Sequence, residues 1–420
     1  MQKLLIKGGK KLSGEVVISG SKNASLPIII SSLLFDDTVL FENVPQVKDI
    51  YTLINLIRVL GREVEFNEEK EVLKISKKNK DKYFAPYSIM RTMRAGVIVL
   101  APLLAKFGKA RVSLPGGCSI GARPVNLHLA ALKKLGAKIN VKNGYIDASA
   151  PKGLSGANIK FPLISVGATE SIIIAAVLAK GITKISNAAL EPEILDLIKF
   201  LNKCGADIKY NSKRKIIIKG VKLLYPIRHK IIPDRIEAAT YAIAALITKS
   251  KLLIKNVNND HLENIFNVLR KIGANIKVLK NSFVIFRKYQ LKPFKITTKP
   301  YPGFPTDMQA QFMALATQIK GSSVINEKIF ENRFLHVSEL MRMGADIEIK
   351  KQKATIKGIK NLNGAEVMAT DLRASVSLVL AALSAKGTTT INRIYHLDRG
   401  YSKLEKKLNL CGANIKRVND

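Results

Sequence analysis

Apolar and polar positions along this chain follow two rhythms, and the switch between them recurs six times. A run such as Ile194-Leu195-Asp196-Leu197-Ile198-Lys199-Phe200-Leu201 places apolar residues three and four apart, which predicts an amphipathic helix. It ends in Cys204-Gly205-Ala206-Asp207-Ile208, and the phrase returns as Leu135-Gly136-Ala137-Lys138-Ile139, Ile272-Gly273-Ala274-Asn275-Ile276, Met343-Gly344-Ala345-Asp346-Ile347 and Cys411-Gly412-Ala413-Asn414-Ile415. Leu60-Gly61-Arg62-Glu63-Val64 is a weaker first copy. Successive glycines lie about 70 residues apart, the length of a whole supersecondary unit rather than a short solenoid repeat. Each glycine fits the left-handed position that ends a helix, with a strand starting just beyond it.

Every unit also opens with a helix of another kind. Residues 171–179 and 374–385 are apolar on nearly every face, and a glycine and a β-rich run such as Thr183-Lys184-Ile185-Ser186 follow. A helix without a polar stripe has to be buried all round. The pattern therefore predicts helix, strand, loop, helix, strand in each unit and an α/β fold whose helices are enclosed by sheets. Three units make one domain and three the other, with a weak boundary at 219–233.

Composition narrows this picture only slightly. The 420 residues are 47% hydrophobic and 24% charged, an ordinary globular balance. The longest apolar runs, 95–105 and 172–179, fall short of the ~18–20 residues of a membrane span. No signal-peptide core follows Met1, so a cytoplasmic protein is expected. Cys118, Cys204 and Cys411 lack zinc-ligand spacing and suggest no disulfide framework. Cys204 and Cys411 sit at equivalent helix ends, where a packing role is expected. The net charge of +37 raises nucleic-acid binding as a rival function. The lysines are scattered, however, with few interleaved aromatics and no recognition helix, so the expectation is steering of small anions and no nucleic-acid partner. The clusters 77–82 and 213–215 read as solvated turns.

The candidate chemistry centres on Pro115-Gly116-Gly117-Cys118-Ser119-Ile120-Gly121-Ala122-Arg123-Pro124. A thiol among glycines, with a guanidinium nearby and backbone N–H groups free to approach it, favours the thiolate. Polar residues also gather at equivalent points of the units. Before the first helix stand Lys22 and Asn23, Arg94, residues 165–169, Asp234 and Arg235, Asp307, and Asp371 with Arg373. After the strand stand Asp49, the Cys118 loop, Glu191, residues 331–333 and residues 396–399. Helix amino termini attract anions, so a phosphate-bearing ligand in a cleft between two such domains is expected. Each Asp or Asn taken singly also reads as an N-cap, but the recurring arginines do not.

Ser21-Lys22-Asn23-Ala24, Thr92-Met93-Arg94-Ala95, the 115–124 loop, Ser165-Val166-Gly167-Ala168-Thr169, Pro305-Thr306-Asp307-Met308-Gln309-Ala310-Gln311, Phe330-Glu331-Asn332-Arg333-Phe334, Thr370-Asp371-Leu372-Arg373-Ala374 and Asp398-Arg399-Gly400-Tyr401 occur in that order. Together they resemble the enolpyruvyl transferase family over essentially the whole length, and most specifically its branch acting on UDP-N-acetylglucosamine. The resemblance implies a two-domain inside-out α/β barrel. Residues 22–232 would carry the cysteine loop at 113–123, residues 1–21 plus 233–420 would form the second domain, and the active site would lie between them. It also implies transfer of the enolpyruvyl group of phosphoenolpyruvate to the 3′-hydroxyl of the nucleotide sugar, with no metal, organic cofactor, membrane or obligate protein partner.

Residue by residue, the resemblance makes Cys118 the proton donor to the vinyl carbon and Asp307 the base or orienting group for the hydroxyl. Lys22, Arg123 and Arg399 would hold phosphate, Asn23 would contact both substrates, and Arg333 and Arg373 would assist at the carboxylate or in closing the domains. Planar guanidinium forks suit such anions. The nucleotide sugar would meet Asn23, Arg94, Arg123, Pro124, Val125, Asn126, Leu127, Ser165, Val166, Asp307 and Ile329. Asn126 replaces an Asp of many relatives and Leu163 a lysine of some, while His128 reads as a supporting residue inside a helical run. The nearest enzyme rival is an enolpyruvylshikimate-phosphate synthase, which shares the donor but lacks the cysteine loop.

Overall fold

The structure is a computed structural model that describes residues 2–78, 81–116 and 125–419. Six four-stranded sheets occur among these residues. The sheet of residues 158–219 illustrates the unit. Asn158–Lys160 lies parallel to Ile182–Ser186, and between them runs an inner helix, Val166–Ala176. Ile182–Ser186 then pairs antiparallel with Lys215–Lys219, which pairs antiparallel with Asp207–Asn211, and an outer helix, Pro192–Lys203, connects the halves. In register, Thr183 faces Ile218 and Ile185 faces Ile216, all buried, while Lys184, Lys215 and Lys219 point to solvent. Period-two alternation thus buries one face of the sheet.

The inner helix is buried from Ala168 through Ala176, so no side of it is wet. The outer helix buries Ile194, Leu197, Ile198 and Leu201 and exposes Lys199 and Lys203. Inner helices begin earlier than their apolar runs suggest. Ser165 Oγ accepts from Ala168 N at 3.3 Å and starts the helix at Val166. Asp371 Oδ1 accepts from Arg373 N at 2.8 Å and Ala374 N at 3.0 Å and starts another at Leu372. A capping side chain satisfies donors that an apolar run has no means to satisfy. The sequence reading also lacked the three-residue opening strands and the second strand of each closing hairpin, which are too short or too lysine-rich to stand out by alternation.

All six repeat glycines adopt the left-handed conformation, with φ between 93° at Gly344 and 102° at Gly273. Two compact units result. One contains residues 20–116 and 125–232 among those described, and the other 2–19 and 233–419. Each has its own core. In the first, Arg228–Lys230 lies parallel to Val39–Glu42, so the last strand completes the first sheet. In the second, Gln2–Lys7 inserts between Thr388–Asn392 and Ile415–Asn419, and Glu15–Val17 lies beside Leu252–Lys255. No helix among the described residues is long and apolar enough to cross a membrane. The 77–82 cluster is more than a solvated turn, because Asp81 pairs with the buried Arg62 at 3.0 Å and with Lys77 at 3.4 Å.

Two glycines separate the reasons for choosing glycine. At Gly136 a Cβ would meet nothing within 4 Å, but φ is +96°. Gly136→Ala should therefore cost only the left-handed penalty, about 1–2 kcal/mol. At Gly156 φ is unexceptional and a Cβ would overlap the backbone of Ile182, where Gly156 N donates to Lys180 O at 2.7 Å. Gly156→Ala should lower the denaturant midpoint more, and equal midpoints for the two variants would contradict this assignment.

Candidate functional site

In the unit of residues 20–232, three inner helical segments pack against one another: Lys22–Ser31, Arg94–Val99 continuing as Leu100–Phe107, and Val166–Ala176. Their first turns carry the predicted residues. Ser21 caps the first helix by accepting from Ala24 N at 3.3 Å, which leaves Lys22 and Asn23 at its start. Lys22 Nζ donates to Asp49 Oδ2 at 3.2 Å, and both side chains are nearly buried. Ser165 caps the third helix, and its carbonyl accepts from Thr169 Oγ1 at 2.8 Å. Val166 and Leu163 are exposed.

Arg94, Leu114, Pro115, Val125, Asn126, Leu129 and Val141 line a pocket of about 380 Å³ in the same unit. The Asn126 side chain accepts from Leu127 N at 3.1 Å at the start of the helix Asn126–Lys134. His128, inside that helix, has Nδ1 2.8 Å from Ser171 Oγ. Its ring lies 3.1 Å from where a Gly167 Cβ would stand, so it buttresses the first turn of the Val166–Ala176 helix. Cys118, Arg123 and Pro124 lie outside the described residues.

In the unit of residues 2–19 and 233–419, the helices Arg235–Ile247, Gln309–Ala316 and Leu372–Ser384 pack together. Asp234 and Asp371 cap two of them. Asp307, in the short Thr306–Met308 turn before the third, is used differently. Its Oδ1 accepts from Arg333 Nη2 at 2.9 Å and its Oδ2 from Arg373 Nε at 3.2 Å. Both guanidiniums are almost fully buried, while the Asp307 side chain is 26% exposed. Nη1 and Nη2 of Arg373 are buried and have no hydrogen-bond partner among the described residues.

Arg373 also lies 5.4 Å from the Tyr401 ring centre, and Tyr401 Oη lies 3.2 Å from Thr240 Oγ1 and 3.3 Å from Gln311 Nε2. Burial works against the Arg373 charge, but Tyr401, Asp307 and Asp234 outweigh it and its pKa moves up. Arg399 follows the helix Tyr395–Asp398. Asp398 receives Arg417 Nη1 at 3.0 Å and Nη2 at 2.7 Å, and Arg417 Nε donates to Glu405 at 2.8 Å. That fork fixes the segment leading into Arg399.

Sequence reasoning missed Glu327, which is 1% exposed. Its Oε1 accepts from Thr298 Oγ1 at 2.8 Å, Ile329 N at 2.7 Å and Phe330 N at 3.1 Å, and its Oε2 from Thr306 Oγ1 at 2.8 Å. One carboxylate thus ties the segment before Asp307 to the one carrying Ile329. Its only signal in sequence is its place directly after the strand Ser322–Asn326, the point where other units carry Asn43 and Asn187. Cys204 and Cys411 are buried thiols, and burial pushes Cys204 up to about 12 and Cys411 in the same direction, as expected of packing residues. No cluster of metal-ligating side chains occurs among the described residues.

The family model for EPSP synthase (3-phosphoshikimate 1-carboxyvinyltransferase) matches residues 6–408. UDP-N-acetylglucosamine 1-carboxyvinyltransferase of Pelagibacter ubique is 54% identical over 419 residues, covering 100% of both chains. The protein of that name from Geotalea uraniireducens is 53% identical over 420 residues with the same full coverage. Among solved structures, the enolpyruvyl transferase NikO from Streptomyces tendae superposes with a TM-score of 0.91 at 24% identity, covering 100% of this chain and 99% of the other. An EPSP synthase from Acinetobacter baumannii gives 0.77 at 18% identity with full coverage of both. These two likenesses speak for the fold.

Two stability measurements probe the site's framework. Glu327→Ala strips acceptors from four donors, and at about 1–3 kcal/mol for each buried unsatisfied group it should cost upwards of roughly 4 kcal/mol. A variant melting like the wild type would deny Glu327 its organising role. The fully buried His336 has its pKa pushed down to about 4 by burial, with Asp371 opposing and Arg333 adding. Between the ordinary histidine value and about 4, the unfolded chain binds a proton that the folded chain does not. Stability should therefore fall as pH falls through that window, by roughly 3 kcal/mol in all. His336→Gln should flatten this part of the stability profile, and an unchanged slope would contradict the neutral assignment.

Proposed function

The chain belongs to the EPSP synthase (3-phosphoshikimate 1-carboxyvinyltransferase) family, and on that premise we propose how its residues move the enolpyruvyl group of phosphoenolpyruvate to the 3′-hydroxyl of UDP-N-acetylglucosamine. Phosphate is released, and the product is a precursor of peptidoglycan. Full-length identity above one half to carboxyvinyltransferases named for this acceptor carries the reading, against 18% to an EPSP synthase.

Lys22, Arg123 and Arg399 hold the phosphate of phosphoenolpyruvate, with Asn23 beside Lys22. Asp49 keeps the Lys22 ammonium in place by a direct ion pair. Arg373, with Nε on Asp307, still has two buried donors for the substrate carboxylate, and Arg333 serves the same anion. Arg94 and the pocket beside Val125 and Asn126 receive the uridine end of the acceptor, a task they share with Arg123, Pro124 and Leu127. The amino terminus at Ser165 and Val166 offers N–H groups to the diphosphate. Ile329, placed by Glu327, contacts the sugar.

Cys118 gives its proton to the vinyl CH₂, which leaves C2 electrophilic. The 3′-oxygen attacks C2 as its proton passes toward Asp307, giving a tetrahedral intermediate. The Cys118 thiolate takes a proton back from the new methyl group as the C2–O bond to phosphate breaks, which restores the double bond and the thiol. Arg333 and Arg373 hold the Asp307 carboxylate in place for the proton of the 3′-hydroxyl. Both substrates are multiply charged and do not cross a bilayer unaided, which supports a cytoplasmic site of action.

Phosphate release measured with each acceptor tests the reading. UDP-N-acetylglucosamine should support turnover, and shikimate 3-phosphate should not. Asp307→Ala should lose about 10²–10⁴-fold in kcat while keeping its fold. Equal rates with both acceptors would overturn the choice of substrate, and near-normal turnover of the variant would remove Asp307 from the chemistry. A purified protein that gave no phosphate and instead bound single-stranded nucleic acid with a steep salt dependence would favour the rival class.

A further inference from the structure

Several buried polar atoms near Asp307 have no part in the reaction as written. His336 is fully buried, and neither ring nitrogen has a hydrogen-bond partner among the described residues. Asp371 Oδ2 is also buried without one, because the cap of its helix uses Oδ1 alone. Asp371 and Arg333 are the charged groups whose fields reach the His336 ring. The neutral ring offers one N–H donor that lacks an acceptor, and Asp371 offers an acceptor that lacks a donor.

Their places in the chain matter more than their number. His336 closes the turn that carries Arg333, and its carbonyl anchors the next helix by accepting from Leu340 N at 3.0 Å. Asp371 caps the helix that carries Arg373. The two unpartnered groups therefore belong to the two segments that deliver guanidiniums to opposite oxygens of Asp307. Glu339, on the helix Val337–Arg342 that follows His336, accepts from Met368 N, three residues before Asp371, at 3.0 Å, which ties the elements next to the two segments.

We propose that His336 is a positioning residue for the reaction: when the anionic donor substrate engages Arg333 and Arg373, the His336 ring N–H bonds Asp371 Oδ2 and clamps the 331–336 turn to the start of the Leu372–Ser384 helix. Substrate charge draws the two guanidiniums toward one anion, and the clamp fixes their spacing once they are there. Two unsatisfied buried groups become one hydrogen bond, so the loaded arrangement is favoured from the framework side as well. The inference rests on the proposed reaction, since phosphoenolpyruvate is the anion invoked.

The test uses the full-length wild type, His336→Phe and His336→Gln. In steady state, His336→Phe should lose roughly 10- to 100-fold in kcat and raise the KM for phosphoenolpyruvate, with the KM for UDP-N-acetylglucosamine unchanged. His336→Gln, which keeps an N–H donor, should recover most of that loss. In the wild type, the His336 imidazole ¹⁵N signals, assigned by their absence from His336→Gln, should shift toward a hydrogen-bonded N–H on adding phosphoenolpyruvate. Full activity of the Phe variant, or a Gln variant as slow as Phe, overturns the clamp while wild-type turnover keeps the proposed reaction intact. Inactive wild type with unmoved ring signals overturns both. If the Phe variant does not fold, unmoved ring signals in active wild type overturn the clamp alone.

Discussion

A helix enclosed by sheets has no wet face, and its polar groups can surface only at its ends. The inner helices Val166–Ala176, Arg235–Ile247 and Leu372–Ser384 are buried along almost their whole length. Fully burying a large aliphatic side chain contributes about 1.5–3 kcal/mol, so these helices anchor the cores, but they leave no side on which to build a polar site. Chemistry is forced to their first turns, where free N–H groups and the macrodipole are already suited to anions. Lys22 with Asn23, Arg94, Ser165, Asp307 and Arg373 all stand there. The six-fold repetition of one packing solution thereby yields repeated anion-seeking helix starts within each unit.

Around Asp307 the hydrogen bonds do not balance. Arg333 and Arg373 are buried against one shared carboxylate, Nη1 and Nη2 of Arg373 have no hydrogen-bond partner among the described residues, and Asp371 spends one oxygen on backbone N–H groups. Buried donors without acceptors are costly unless a ligand completes them. Arg417, by contrast, is satisfied by Asp398 and Glu405 and serves as a strut. This difference in satisfaction, rather than the presence of arginine, is what marks Arg373 for the proposed ligand role. Tyr401, Thr240 and Gln311 form a bonded set beside Arg373, where the Tyr401 ring keeps the fork in place.

What could be read in the sequence was whatever repeats or is local. The glycines at 61, 136, 205, 273, 344 and 412 announce six helix ends because only a left-handed residue fits there, and all six are left-handed. The apolar inner helices announce their own burial. Lys22, Asp307 and Arg373 stood out because their polar neighbours recur at equivalent positions. Glu327 did not, since its four bonds reach Thr298, Thr306, Ile329 and Phe330 across a sheet end that only the fold brings together. His336 carries no signal in sequence, because an isolated histidine beside apolar residues looks like filler until both nitrogens are seen to lack partners among the described residues. Asp81 was misread as solvated for the same reason: its partner Arg62 lies on the strand Arg62–Asn67, well before it in the chain.

The net charge of +37 and the buried guanidiniums act at different ranges. Lys184, Lys209, Lys215 and Lys219 stand on the outer face of one sheet, where their field draws anions in general and fades within about 8–10 Å in physiological salt. Such a field raises encounter rates without choosing among polyanions. Arg333 and Arg373 are shielded from salt by burial and fixed in direction by Asp307 and Tyr401. On the proposed reaction, the surface surplus would draw in phosphates of any kind, and selection would fall to a few buried nitrogens held by the fold.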